Sequence, residues 1–60
     1  MRAWLKEARK YKNLTQESLS EKVGIASSFY NMIENGTRRP SPEVAQRIGE
    51  VLECDWTRFY

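Results

Sequence analysis

Stop signals recur so closely along this chain that no helix it forms can stand alone. Asn13, Gly24, the Asn35-Gly36 pair and the Pro40-Ser41-Pro42 run punctuate 60 residues, leaving ten positions between Asn13 and Gly24 and ten between Gly24 and Asn35. Asn and Gly tolerate the left-handed conformation that commonly ends a helix. Pro suits the first helical position and breaks the interior. Isolated helices shorter than about 12 residues are marginal in water. Whatever forms here must be held by its neighbours. A chain of this size makes one domain, residues 1–60, burying only about 60% of its unfolded surface. A cofactor pocket of ordinary volume does not fit beside so thin a core.

Between the stop signals the apolar residues recur at three- and four-residue steps, which is helical spacing. Five segments follow, with no strand pattern. The first runs from about Arg2 to Lys12 on Trp4, Leu5, Ala8 and Tyr11, and Asn13 ends it. The second opens on Thr15 as N-cap and Gln16-Glu17 in its first turn, buries Leu19 and Val23, and stops at Gly24. The third starts near Ala26 or Ser27, with Ser27 the better cap by chemistry, and reaches Asn35 on Phe29, Tyr30, Met32 and Ile33. The fourth is capped by Ser41, carries Pro42 at its first position and continues through Val44, Ala45, Ile48, Val51 and Leu52. Glu43 and Arg47 form an i,i+4 pair on it. The last is capped by Asp55, with Trp56 and Phe59 on one face. The fold class expected is all-α, a compact four- to five-helix domain.

Composition closes several routes. One cysteine, Cys54, permits no internal disulfide, and the absence of histidine removes the usual metal ligands, so no metal is expected. Cys54 reads as a small buried hydrophobe in a reducing, intracellular setting. No stretch approaches the roughly 18 apolar residues of a membrane span. The opening Met1-Arg2-Ala3-Trp4-Leu5-Lys6-Glu7 is too interrupted by charge for a signal peptide, so a soluble cytoplasmic chain is expected. No paired carboxylates, nucleophile–base arrangement or Gly-rich phosphate loop is present, and no cofactor or enzymatic activity is expected. The net charge of +2 says little by itself. Lys6, Arg9, Lys10 and Lys12 make the first segment basic, which is the ordinary pattern of a solvated face; Arg2 or Lys10 is placed to reach a flanking phosphate.

The informative stretch runs from Gln16 to Asn35. Two short helices meet at a Gly-centred turn, with Leu19, Val23, Ile25, Tyr30 and Ile33 to pack them and the small Ser20 where they approach. That is a helix-turn-helix, whose second helix can lie in the major groove of DNA. Ser27, Ser28, Asn31 and Met32 sit in its early turns. Their hydroxyls and amide suit a base edge or a phosphate. The plainer reading, capping and solvent-facing residues, stands beside it.

Leu14-Thr15-Gln16-Glu17-Ser18-Leu19-Ser20-Glu21-Lys22-Val23-Gly24, followed by Ile33-Glu34-Asn35-Gly36-Thr37-Arg38-Arg39-Pro40-Ser41, resembles the Cro and phage-repressor (XRE-like) helix-turn-helix family of lambda-repressor-like domains, from Leu5 to Leu52. The ending Asp55-Trp56-Thr57-Arg58-Phe59-Tyr60 is similar to the tails of regulators from mobile elements and prophages. The resemblance implies a role for each matching residue. Gln16 touches the DNA backbone and braces the recognition helix. Ser27, Ser28 and Met32 face bases, with Asn31 beside them. Asn35, Gly36, Thr37, Arg38 and Arg39 form the loop that clamps phosphate. Arg9 and Glu34 form an ion pair between the first and third helices. Three departures stand out. Met32 replaces the family's frequent Arg, Lys or Gln, Phe29-Tyr30 is bulky, and Ser27 and Ser28 are short. Readout is therefore expected to lean on thymine methyls, water and DNA shape.

The function expected is a transcriptional regulator, a repressor in the first instance, binding a double-stranded operator as a homodimer and associated with the nucleoid. The alternative is a protein-interaction module, an antitoxin-like partner using an apolar C-terminal edge. Trp4 and Trp56 are expected inside the core and Phe59 and Tyr60 on that exposed edge.

Overall fold

The computed structural model describes residues 2–60; Met1 lies outside the described residues. Four α-helices and one 3-10 turn follow in order: α1 (Ala3–Tyr11), α2 (Gln16–Val23), α3 (Ser27–Asn35), α4 (Pro42–Leu52) and the last turn (Trp56–Phe59). No strand occurs among the described residues. This is the all-helical lambda-repressor-like arrangement.

The stop signals act where the sequence places them. Asn13 takes φ 59°, Gly24 φ 87° and Gly36 φ 89°. Gly24 N–H donates to Ser20 O at 2.8 Å and Ile25 N–H to the same oxygen at 3.0 Å, closing α2. At the other end of α2, Thr15 Oγ1 accepts from Ser18 N–H at 3.0 Å, and Ser18 Oγ accepts from Thr15 N–H at 2.9 Å. The reciprocal pair satisfies two otherwise orphaned donors. Ser41 Oγ accepts from Val44 N–H at the start of α4, and Asp55 Oδ1 from Thr57 N–H at the start of the last turn.

The start of α3 differs from the capping chemistry. Ala26, not Ser27, is the N-cap: it is extended, and no side chain caps the helix. Ile25 decides this. It is pinned by Ser20 O on its backbone and half-buried on its side chain, so the short connection leaves Ser27 already inside the helix.

Leu5, Leu19, Val23, Tyr30, Ile33, Ala45, Ile48, Leu52 and Phe59 form the core. Two aromatic expectations need correction. Tyr11 is 84% exposed, because the buried row of α1 runs from Leu5 to Arg9 and the helix ends at Tyr11 beyond the core's edge. Phe59 is buried at 5% exposure, against the exposed edge expected for it. Its ring meets Trp4 edge to face at 5.0 Å. Gly49 is the reason. A Cβ there would lie 2.9 Å from Cys54 O and 2.9 Å from Trp56 Cβ, so the missing side chain lets the last turn close onto α4. Trp4 and Trp56 are half-buried. Tyr60 remains exposed, but its hydroxyl donates to Pro40 O.

Ser20 is buried, and its hydroxyl lies within donating distance of Gln16 O and Glu17 O at 2.8 and 2.9 Å. A larger residue would have to displace the neighbouring helix.

Candidate nucleic-acid interface

Positions 27, 28, 31 and 32 share a face of α3 because residues three and four apart align on a helix. Ser27, Ser28 and Asn31 are exposed and Met32 is half-buried. Opposite them stands the start of α2. Thr15, Gln16 and Glu17 join Ser27, Ser28, Asn31 and Met32 around one open concavity. The opposite side of α3 buries Tyr30, Ile33 and Glu34, so the polar face is fixed outward by the core.

The uncapped start of α3 opens beside this concavity. Its first backbone bond is Tyr30 N–H to Ala26 O, which leaves the earlier N–H groups without side-chain acceptors. Such an end carries partial positive charge and favours anions. Glu17 is the one acid in the concavity lining. It suits the positive end of its own helix and disfavours a phosphate directly above it.

Hydrogen bonds link four of the expected contact residues. Asn31 Nδ2 donates to Gln16 Oε1 at 3.0 Å. Asn35 Nδ2 approaches Asn31 Oδ1 at 3.4 Å. Thr37 N–H and Thr37 Oγ1 donate to Asn35 Oδ1 at 2.9 and 2.5 Å. The run joins the start of α2 to the loop after α3, and the Gln16 side chain also lies close enough to Glu34 to favour its charged form. In that loop Arg38 and Arg39 are exposed. Thr37 and Arg38 N–H both donate to Met32 O.

Beneath the face, Arg9 reaches Glu34 through two hydrogen bonds, Nε to Oε2 and Nη2 to Oε1, both 3.0 Å, and donates through Nη1 to Leu14 O at 2.8 Å. Burial opposes ionisation of Glu34, but the Arg9 guanidinium outweighs it and holds the carboxyl below its ordinary value. Tyr30 lies next to this pair, its hydroxyl buried and without a hydrogen-bond partner among the described residues. Burial, reinforced by the Glu34 carboxylate, pushes its phenol up. The pair ties α1 to α3 and sets the tilt of the polar face; a buried pair of this kind fixes geometry more than it adds stability.

Other cations are engaged elsewhere. Arg2, a candidate for a flanking phosphate, instead donates through Nη1 to Ile33 O at 2.6 Å and to Arg38 O at 3.2 Å. Lys12 pairs with Glu53, and Arg47 Nη2 with Glu43 at 2.7 Å. Cys54 is half-buried and its thiol is pushed up by that burial, which keeps it a weak nucleophile. Sequence reasoning missed Arg2 as a support of the basic loop, Tyr60 as another and Gly49 as the seat of the last turn. Each works through a contact across the fold, which leaves no local pattern.

A helix-turn-helix family model matches residues 5–59. The chain is 50% identical over 60 residues, its whole length and 79% of the relative, to the uncharacterized HTH-type transcriptional regulator YqaF of Bacillus subtilis. It is 40% identical over 52 residues to an uncharacterized HTH-type transcriptional regulator of Methanothermobacter thermautotrophicus, covering 87% of this chain and 75% of that one. It is 37% identical over 49 residues to the regulator YqaE of Bacillus subtilis, covering 82% of this chain and 42% of the relative, less than half its length. No solved structure matches. No helix among the described residues is long and apolar enough to cross a membrane. With a family match across most of its length and a relative half identical throughout, this chain belongs to the XRE-like helix-turn-helix family of DNA-binding transcriptional regulators, the family of Cro and the phage repressors.

Proposed function

We propose that the chain binds an operator in duplex DNA by laying α3 in the major groove, and that occupancy of a promoter represses transcription by blocking polymerase. The observation that carries this reading is the outward face of α3. Ser27, Ser28, Asn31 and Met32 sit there together, backed by a buried row and flanked by exposed Arg38 and Arg39. In this arrangement Ser27, Ser28 and Met32 meet base edges. The Gln16 amide, the uncapped start of α3 and the Arg38–Arg39 loop meet phosphates on either side. Phosphate contacts fix register, and base contacts supply sequence preference. Two hydroxyls and a thioether make few bidentate contacts, so thymine methyls and DNA shape carry much of the discrimination. Inverted half-sites about one helical turn apart would be read by a symmetric homodimer.

The antitoxin-like alternative relied on an apolar edge formed by Phe59 and Tyr60. Phe59 is buried and the Tyr60 hydroxyl is engaged, so that edge shrinks to one ring.

Selection of bound duplexes from a random pool tests the proposal and returns site, spacing and symmetry together. Binding should weaken with salt at a log–log slope of about −0.9 per neutralised phosphate. A chain that retains no duplex at low salt sinks the reading.

A further inference from the structure

We infer that Tyr60 is a positioning residue for the basic loop between α3 and α4, presetting Arg39 for the phosphate it meets. The inference rests on the docking of α3 proposed above.

The loop is short, exposed and cationic, yet its backbone is tied at both ends to distant parts of the chain. Arg2 holds the first half: its guanidinium donates to Ile33 O and Arg38 O, and its own N–H donates to Glu34 O at 2.8 Å. Tyr60 holds the second half through its hydroxyl on Pro40 O. The Pro40 side chain is itself buried. Arg39 lies between these supports, its guanidinium carbon 5.7 Å from the centre of the Tyr60 ring.

The contact suits a phosphate clamp. Stacking on an aromatic ring engages the face of a guanidinium and leaves its in-plane N–H donors for a bidentate phosphate. Ordering a loop residue costs about 1–2 kcal/mol of backbone entropy. When folding has already ordered the loop, DNA binding does not bear that cost. Arg2 contributes electrostatically as well. It covers carbonyls at the negative end of α3, beside the path a phosphate would take. Tyr60 is 55% exposed, and its ring meets Trp56 edge to face at 6.3 Å, so the structural share of its role lies in the ring, which Tyr60→Phe keeps.

Tyr60→Phe keeps the ring and removes the tie to Pro40. It should weaken binding to selected and random duplexes alike by about threefold to tenfold, the span of one hydrogen bond. Amide exchange at residues 37–39 should quicken, and the melting temperature should fall by about 2–10 °C, as for one hydrogen bond in a domain of this size. The deciding measurement is the double variant. In an Arg39→Ala background, Tyr60→Phe should have no further effect on affinity while still quickening loop exchange. Wild-type affinity in Tyr60→Phe, or an equal loss with and without Arg39, overturns the inference and leaves docking of α3 intact. Failure of the unaltered chain to bind any duplex instead removes the docking proposal itself, and is seen before any variant is made.

Discussion

Ser28 and Arg39 stand on the same surface with opposite expected contributions. Ser28 is exposed in the first turn of α3, and no side-chain hydrogen bond engages its hydroxyl among the described residues. Ser28→Ala should reduce affinity for the selected operator by about 1–3 kcal/mol at one base pair and leave random duplex little changed. Competition binding with both duplexes measures the difference; an equal loss would mark a phosphate contact. Arg39→Ala should weaken every duplex alike and reduce the salt slope by about 1. A titration series at rising salt checks it, and a changed sequence preference would contradict the assignment. The exposure of Ser28 was legible in the helix spacing and the loop position of Arg39 in the Asn35-Gly36 stop, whereas the contacts expected of both rest on the family resemblance. The partners of Asn31 were not legible. That it reaches back to Gln16, fifteen residues away, depends on the angle between two helices.

Among elements, α3 starts without a side-chain cap, as α1 does, while α2 and α4 have Thr15 and Ser41. Ala26→Asp should add the missing cap and stabilise the fold by about 0.5–2 kcal/mol. It should also weaken duplex binding, since the new carboxylate occupies the free N–H groups and repels phosphate. Thermal melts and mobility shifts on the same sample test both halves, and Ala26→Ser separates cap from charge. The last turn depends on α4. Gly49→Ala places a Cβ at 2.9 Å from a backbone carbonyl that cannot swing aside as a flexible side chain would. Despite alanine's better helix propensity, the substitution should cost about 1–3 kcal/mol and shift tryptophan fluorescence as Trp56 moves outward. Unchanged stability would show that the turn seats elsewhere.

At the scale of the whole molecule, α1 and α3 are joined by the Arg9–Glu34 pair, and none of the helices exceeds 11 residues. The domain should therefore unfold as one cooperative unit, with tryptophan fluorescence and helical circular dichroism changing together. Acid should reveal the pair. Glu34 binds its proton less readily in the folded chain than in the unfolded one, so the unfolded state takes up protons first as pH falls. The stabilisation present above the ordinary carboxylate value of 4.5 should be lost progressively below it. Denaturant titrations across pH 3–6 (a range of about three units spanning this value) should show the decline. Glu34→Gln should be less stable at neutral pH, because Arg9 is left buried without its counter-charge, and should show a flatter decline. The same slope in both chains would assign the acid sensitivity to other carboxylates.

The sequence by itself determined where α2 and α4 begin, where α2 and α3 end, and most of the residues that face inward. Those choices rest on local physics: left-handed tolerance at Asn13, Gly24 and Gly36, hydroxyl caps at Thr15 and Ser41, and the helical period of the apolar residues. Tertiary structure alone decided the cap of α3, the burial of Phe59 and the ties from Arg2 and Tyr60 to the basic loop. Each arises from how closely two elements approach across a long stretch of chain. That distance is set by packing, for the last turn by the missing side chain at Gly49, and packing leaves no periodic mark in a sequence.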